Sequence, residues 1–270
     1  MAPENINVEG FTDSHAHLAD PAFAGDCDEV IERARNAGAK AIVCIGSGGG
    51  IGDVLGAARG ASAVAARHLQ LVWFTAGVHP HDASGFDPAR DNDAIRGHVT
   101  AGAVAIGECG LDYHYDNSPR AQQLATFRHQ LDIARDTHMP VVVHTRDAED
   151  DTLSMVVEAG ADGVTGVLHC YTGSHALAEA AIAAGWYISF SGVVTFRKWT
   201  DDALLRLVPS SRILAESDSP YLAPVPYRGR RNEPGWVAFT VARLAAARGI
   251  TAGEMGAMVS DNARQLFKLA

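Results

Sequence analysis

The sequence predicts an α/β protein folded as a TIM (β/α)8 barrel, with residues 1–270 forming a single domain and an extra helix at the C-terminus. Short apolar runs alternate with longer amphipathic stretches along the whole chain, a pattern that indicates a parallel sheet with helical crossovers. There are eight such strand-then-helix units, and 270 residues suit a barrel of about 250 residues. An open doubly wound sheet remains the alternative, because it shows the same alternation.

The predicted strands are short apolar runs separated by turn residues. In chain order they are Gly10–Leu18, Ala39–Ile45, Val72–Gly77, Ala103–Glu108, Pro140–His144, Gly163–His169, Trp186–Phe190 and Arg212–Glu216. Since each strand is followed by a helical pattern, neighbouring strands are expected to run parallel.

The predicted helices have the amphipathic pattern of helices that cover a sheet. In chain order they are Asp26–Ala37, Ile51–His68, Pro88–Val99, Ser118–Thr137, Asp147–Ala159, Ser174–Ala184, Asp201–Val208 and Gly235–Arg248, with a last helix near Thr251–Lys268. Ser118 is expected to cap the fourth helix, with Pro119 at its first position. Gly160, Gly185 and Gly249 are expected to end the fifth, sixth and eighth helices.

The composition is that of an ordinary globular protein, with 47% hydrophobic and 20% charged residues and a mean hydropathy of -0.01. No apolar stretch approaches the roughly 18 residues of a membrane span, and residues 1–5 lack the features of a signal peptide. We therefore expect a cytoplasmic protein without a membrane partner. The net charge of -10 repels polyanions, so a phosphate substrate would need a local source of positive charge.

Side chains that can bind metals stand near the carboxyl ends of five predicted strands. Within the first strand, His15 and His17 point to the same face because strand side chains alternate. The full set is His15, His17, Glu108, His144, His169 and Asp218. The carboxyl ends of barrel strands open on one face, where active sites assemble, so we expect these six side chains to meet.

The types of ligand in this set favour a centre of two divalent metal ions, which could be Mg, Mn or Zn. Four imidazoles and two carboxylates exceed what one tetrahedral ion takes. Glu108, with two oxygens, can bridge the ions, and Asp218 can bind one ion and accept a proton from the coordinated water. Paired ions suit the hydrolysis of phosphate esters, so Glu108 and Asp218 are the predicted catalytic residues.

Six segments of the chain, in this order, resemble motifs of the TatD family of metal-dependent deoxyribonucleases. The segments are Asp13–Leu18, Gly77–His81, Ile106–Asp112, Pro140–His144, His169–Gly173 and Glu216–Pro224. The resemblance implies a TIM barrel, divalent metals and hydrolysis of DNA, with 3′ to 5′ exonuclease action on single strands. It also implies metal roles for the same six residues. Two departures are Ala16, where many members carry cysteine, and Ser217, which replaces a commoner threonine.

Candidate contacts to a DNA substrate are Arg228, Arg230 and His79. The two arginines follow the last strand, as in the family, and their planar guanidinium groups suit phosphate oxygens. His79 ends the third strand and is expected to position a phosphate or to orient a ligand. Aromatic residues near this face could stack on a base or pack in the core; they are Tyr113, Tyr171, Trp199 and Tyr221. No protein partner is inferred.

Two other functions fit the same ligand set. One is a metal-dependent amidohydrolase, lactonase or small phosphoesterase, and the other is a scaffold whose metal is structural. Glu108 occupies the position at which neighbouring amidohydrolases often carry a carbamylated lysine, and the three lysines lie at a strand start, in a loop and at the tail. This argues against a close relative of the carbamylated enzymes.

Overall fold

Eight parallel strands form a nearly closed barrel in this computed structural model, which describes residue 8 and residues 10–269. The strands are β1 Phe11–Ala16, β2 Ala39–Cys44, β3 Val72–Ala76, β4 Ala105–Asp112, β5 Val141–Arg146, β6 Gly166–Leu168, β7 Tyr187–Phe190 and β8 Ile213–Ala215. They pair in chain order, and a parallel bridge between Ala16 and Ser219 joins the first strand to the segment after the last. The predicted TIM barrel is confirmed. The uninterrupted order excludes a doubly wound sheet, in which the strand order reverses.

Nine α-helices belong to the described part of the chain. They are α1 Cys27–Asn36, α2 Gly56–Arg67, α3 Pro88–Thr100, α4 Arg120–Thr137, α5 Glu149–Ala161, α6 His175–Ala183, α7 Asp202–Leu207, α8 Val237–Arg248 and α9 Ala252–Phe267. Helices α1 to α8 occupy the crossovers and follow their strands, as predicted. Within the described residues, no helix is both long and apolar enough to cross a membrane.

The extra C-terminal helix, α9, closes the end of the barrel at which the strands begin. Its residues Leu266 and Phe267 pack in one buried cluster with barrel residues such as Val43 and Val142. The amide of Asn262 donates hydrogen bonds of 2.8 Å to the carbonyls of residues 210 and 213, at the start of β8. The barrel is therefore filled at this end, and the opposite end is left for the polar side chains.

Strand β4 continues to Asp112, four residues beyond the predicted end at Glu108. Its register against β5 shifts between Gly107 and Cys109, so the strand is irregular where it passes the middle of the barrel. Gly107 and Gly110 have φ angles of 128° and 125°, and a Cβ at either residue would collide with a backbone carbonyl of β5. Glycine at both positions permits this close approach. Glu108 and Asp112 consequently lie on the same paired strand.

Most helix boundaries differ from the predicted ones by one or more residues, those of α4, α5 and α2 among them. Helix α4 begins at residue 120 with Pro119 as its N-cap, and the Ser118 hydroxyl instead donates to the carbonyl of His81 at 2.8 Å. Helix α5 continues through Gly160 to residue 161, and a Cβ at Gly160 would collide with Ala184, so this glycine permits close packing rather than ending the helix. Helix α2 begins at residue 56 rather than 51, since the glycines before it form a loop.

Candidate metal centre

All six predicted ligands lie at the end of the barrel at which the strands finish. His15, Glu108 and His144 are strand residues. His17 and His169 directly follow β1 and β6, and Asp218 follows β8 by three residues. The structure brings the six side chains together in two overlapping groups of donor atoms.

The first group surrounds the two histidines of β1. The Nε2 atoms of His15 and His17 are 3.1 Å apart. Asp218 Oδ1 lies 3.7 and 3.5 Å from these two nitrogens, and Glu108 Oε2 lies 3.6 and 3.8 Å from them. Four donor atoms from three separate segments therefore face a common point.

The second group surrounds the other carboxylate oxygen of Glu108. Its Oε1 lies 2.8 Å from His169 Nε2, 3.4 Å from His144 Nδ1 and 3.5 Å from His79 Nε2. The nitrogens of His169 and His144 are themselves 3.4 Å apart. Glu108 thus presents one oxygen to each group, as a bridging carboxylate would.

Both groups have donor-atom separations close to those around a divalent cation. Donor atoms about 2.0–2.2 Å from a tetrahedral zinc ion lie about 3.3–3.6 Å from one another. The separations in the first group span 3.1 to 3.8 Å, and those in the second span 2.8 to 3.5 Å. Imidazole and carboxylate donors suit Zn, Mn and, through the carboxylates, Mg. The donor set and its spacing therefore fit cations.

The protonation states of two buried groups, His15 and Glu108, favour cation binding. Burial lowers the pKa of His15 well below its usual value, and the neighbouring His169 lowers it further, so His15 is neutral with a free lone pair. Burial would raise the pKa of Glu108, but the charges of His169 and His79 outweigh it and hold that pKa well below its usual range. Glu108 is therefore a carboxylate, 2% exposed, among imidazoles.

Two buried carboxylates that the sequence analysis did not assign hold the histidines in place. Asp112 Oδ2 accepts from His144 Nε2 at 3.0 Å and from His81 Nε2 at 2.9 Å, while Glu216 Oε1 lies 3.2 Å from His169 Nδ1. Carboxylates behind metal-binding histidines fix the ring orientation and the tautomer. Both residues lie inside segments that resemble motifs of the TatD family. Their place in these segments, close in sequence to a candidate ligand, could have pointed to them.

Replacing Asp112 with asparagine is expected to weaken cation binding. A neutral amide accepts the Nε2–H of His144 more weakly than a carboxylate and makes Nδ1 a weaker ligand, so we expect the affinity for Mn²⁺ or Zn²⁺ to fall about 10–100-fold. Competition with a chromophoric chelator measures this affinity. The matched control is Asp136→Asn, because Asp136 pairs with Arg96 on the outer helices. An unchanged affinity in Asp112→Asn would remove Asp112 from this supporting role.

Asp13 links β1 to the segment that carries Asp218. Its Oδ1 accepts from the backbone N–H groups of Ser217 at 2.9 Å and of His15 at 3.2 Å. Burial raises the pKa of Asp13 to about 8. Asp218 itself has a φ of 54°, a conformation that aspartate tolerates, and its N–H donates to the carbonyl of His15 at 2.9 Å. These bonds set the position of Asp218 beside the histidines of β1.

Of the predicted substrate contacts, His79 lies at this centre and the two arginines lie in the segment after β8; the roles of all three remain predictions. His79 borders Glu108 and His144 and belongs to a group that could itself hold a cation. Arg228 and Arg230 are exposed, and neither forms an ion pair with a described residue; the Arg228 guanidinium lies 3.8 Å from the centroid of the Phe196 ring. In contrast, the adjacent Arg231 is bound to Asp26 at 2.6 Å.

The aromatic residues that could stack on a base differ in how deeply they are buried. Tyr171 is 2% exposed, and its hydroxyl donates to the carbonyl of residue 174 at 2.6 Å, so this ring belongs to the core. Tyr221 is 54% exposed, and its ring centroid lies 6.0 Å from that of His17. Tyr221 is therefore accessible beside the first group of donor atoms.

Comparison with known proteins identifies the family of this barrel. The family model described as TatD related DNase matches residues 12–268. The chain belongs to the TatD-related DNase family. A Bacillus subtilis protein named uncharacterized metal-dependent hydrolase YabD is 35% identical over 260 residues, which cover 95% of this chain and 98% of the relative. A 3'-5' ssDNA/RNA exonuclease TatD of Erwinia tasmaniensis is 35% identical over 95% of this chain and 99% of the relative.

A solved structure agrees with this assignment. The crystal structure of the TatD homologue YjjV from Escherichia coli matches with a TM-score of 0.85 and 25% identity, and it covers 96% of this chain and 98% of that one. The predicted family and the predicted enzyme class, a metal-dependent nuclease, are therefore confirmed. Membership brings with it the use of a divalent metal and nucleic acid as the class of substrate.

Proposed function

We propose that the chain removes nucleotides one at a time from the 3′ end of single-stranded DNA, at a centre that holds two divalent cations. The observation that carries the proposal is the placement of Glu108, whose two oxygens each face a separate group of donor atoms. Two-cation centres stabilise both the entering and the leaving oxygen of a phosphate ester. The relatives named as 3'-5' ssDNA/RNA exonucleases support the direction of cleavage and the single-stranded substrate.

His15, His17 and Asp218 would hold the first cation, and His144 and His169 the second, with Glu108 between them. When bound, the cations would lower the pKa of water and offset the charge of the phosphate. The proposed cations are Mg, Mn or Zn, since the donor atoms include both imidazole nitrogens and carboxylate oxygens.

Asp218 is the proposed proton acceptor of the reaction. Its side chain is 14% exposed, whereas that of Glu108 is 3% exposed, so water and substrate can reach Asp218 from the open end of the barrel. Asp218 accepts the proton of the attacking water as a new P–O bond forms, and this proton then passes to the leaving oxygen as the old P–O bond breaks. Glu108 keeps the histidines on both sides in place.

A comparison of 3′-labelled and 5′-labelled single strands tests the proposed activity. With Mg²⁺ or Mn²⁺ added, we expect labelled mononucleotide at once from the 3′-labelled strand and a ladder of shortening products from the 5′-labelled strand. A duplex of the same sequence is the control and should react slowly. Internal cleavage, or turnover of cyclic amides or lactones without any cleavage of DNA, would contradict the proposal. Equal release from RNA would widen the substrate class.

Substitution of Arg228 and Arg230 by alanine is expected to raise KM for single-stranded DNA. In an acidic protein, each arginine lost from a phosphate contact should weaken binding by about 3–10-fold and flatten its dependence on salt. The kcat value should change little, because neither residue is placed at the reacting atoms. KM measured at two salt concentrations checks this. Arg128→Ala is the matched control, since Arg128 pairs with Glu158 on the outer helices.

A further inference from the structure

Two exposed tyrosines flank the candidate metal centre, one beside each group of donor atoms. Tyr221 lies beside His17, as described above, and Tyr115 lies in the loop after β4. Tyr115 is 55% exposed, and its ring centroid is 5.5 Å from that of His81. The His81 ring in turn lies 4.4 Å from the ring of His79. One imidazole therefore separates Tyr115 from the second group of donor atoms.

The position of Tyr115 is fixed by the same carboxylate that holds the candidate ligand His144. Asp112 Oδ1 accepts from the backbone N–H of Tyr115 at 2.9 Å, while Asp112 Oδ2 accepts from His144 and His81. A ring on a loop is usually mobile, but here the backbone of the loop is tied to the buried end of β4. The position of the Tyr115 backbone relative to the second group is therefore set in advance.

A positively charged side chain, that of Arg146, packs on the Tyr115 ring. The guanidinium carbon of Arg146 lies 4.8 Å from the centroid of the Tyr115 ring, and Arg146 forms no ion pair with a described residue. Nearby Arg120, by contrast, is neutralised by Asp116 at 2.8 Å. A planar cation stacked on an aromatic ring, with its N–H groups unpaired, can contact a base and a phosphate at once. Single-strand binders combine the same two features.

We propose that Tyr115 and Arg146 form a stacking subsite for a nucleobase next to the scissile phosphate, on the side of the second group of donor atoms. The proposal rests on the proposed function and specifies part of its substrate contact. Tyr115 supplies the face on which the base stacks, and Arg146 binds the adjoining phosphate. The subsite recognises any base, because every base has a π-face.

The test pairs Tyr115→Ala with single strands of twelve nucleotides that carry one abasic residue at the first, second or third position from the 3′ end. For the wild type, we expect kcat/KM to fall about tenfold when the abasic residue is at one of these positions. Tyr115→Ala should show the same tenfold loss on the intact strand and no further loss on that abasic strand. Tyr115→Trp should keep the wild-type pattern, and Arg146→Ala should raise KM on every strand.

The controls separate this proposal from the proposed function. Leu69→Ala alters an apolar side chain that is 77% exposed and precedes β3, at the far end of the barrel, and should change nothing. Equal losses for Tyr115→Ala on all strands, or no loss at all, would overturn the subsite. If the wild type releases no nucleotide, the proposed function fails, and the Kd values of the same uncleaved strands then decide on the subsite by the same comparison.

Discussion

Replacement of Glu108 by glutamine is expected to lower kcat/KM for single-stranded DNA by about 10³-fold or more. Glutamine keeps the volume of the side chain but removes the charge that faces His15 on one side and His169 on the other. Without this charge, both groups of donor atoms lose their shared member, so the bound metal should also decrease. Single-turnover kinetics and metal analysis of the purified variant measure the two effects.

The control for this variant is Glu179→Gln, because Glu179 is exposed on α6. Circular dichroism should show the same secondary structure for both variants and the wild type. Near-normal cleavage by Glu108→Gln, with two metal equivalents still bound, would show that Glu108 does not connect the two groups.

Replacement of Asp218 by asparagine is expected to lower kcat by about 10²–10⁴-fold, the usual contribution of a positioned proton acceptor. KM should stay near its wild-type value, because the phosphate contacts lie on other residues. His15 and His17 remain available to the first cation, so the variant should retain more metal than Glu108→Gln. Steady-state kinetics with a 3′-labelled strand, together with metal analysis, checks this difference.

Asp261→Asn is the matched control for the second variant, because this carboxylate is exposed on α9 and pairs only with nearby Arg264 among the described residues. A fall in metal content without a fall in kcat at saturating metal would assign Asp218 to binding alone. Full activity of Asp218→Asn at a low metal concentration would show that Asp218 has no role in the site.

The fold could be predicted because barrel strands are short and apolar. In β2, Ile42 and Cys44 pack against the helices while Val43 packs inside the barrel, so nearly every position is hydrophobic. Such runs stand out between amphipathic helices. The candidate ligands stand out in the sequence because each is a polar side chain at or near the end of an apolar strand.

The supporting residues could not be predicted in the same way. Asp112 reaches His144 only because β4 continues past Gly110, where glycine permits close contact with β5. A Gly-Glu-Cys-Gly sequence suggests a strand end, so this continuation is a tertiary effect. Ser47 is a similar case: it follows β2 within a glycine-rich loop, yet its hydroxyl donates to Glu108 at 3.3 Å. The family-like motif that contains Asp112 was a signal for the first contact, whereas no spacing in the sequence indicates the second.

An anomalous difference map from a crystal soaked in Mn²⁺ tests the central claim most directly. Two peaks about 3.5–4 Å apart are predicted, one beside His15, His17 and Asp218 and the other beside His144 and His169, with Glu108 between them. A single peak, or peaks away from Glu108, would contradict the account.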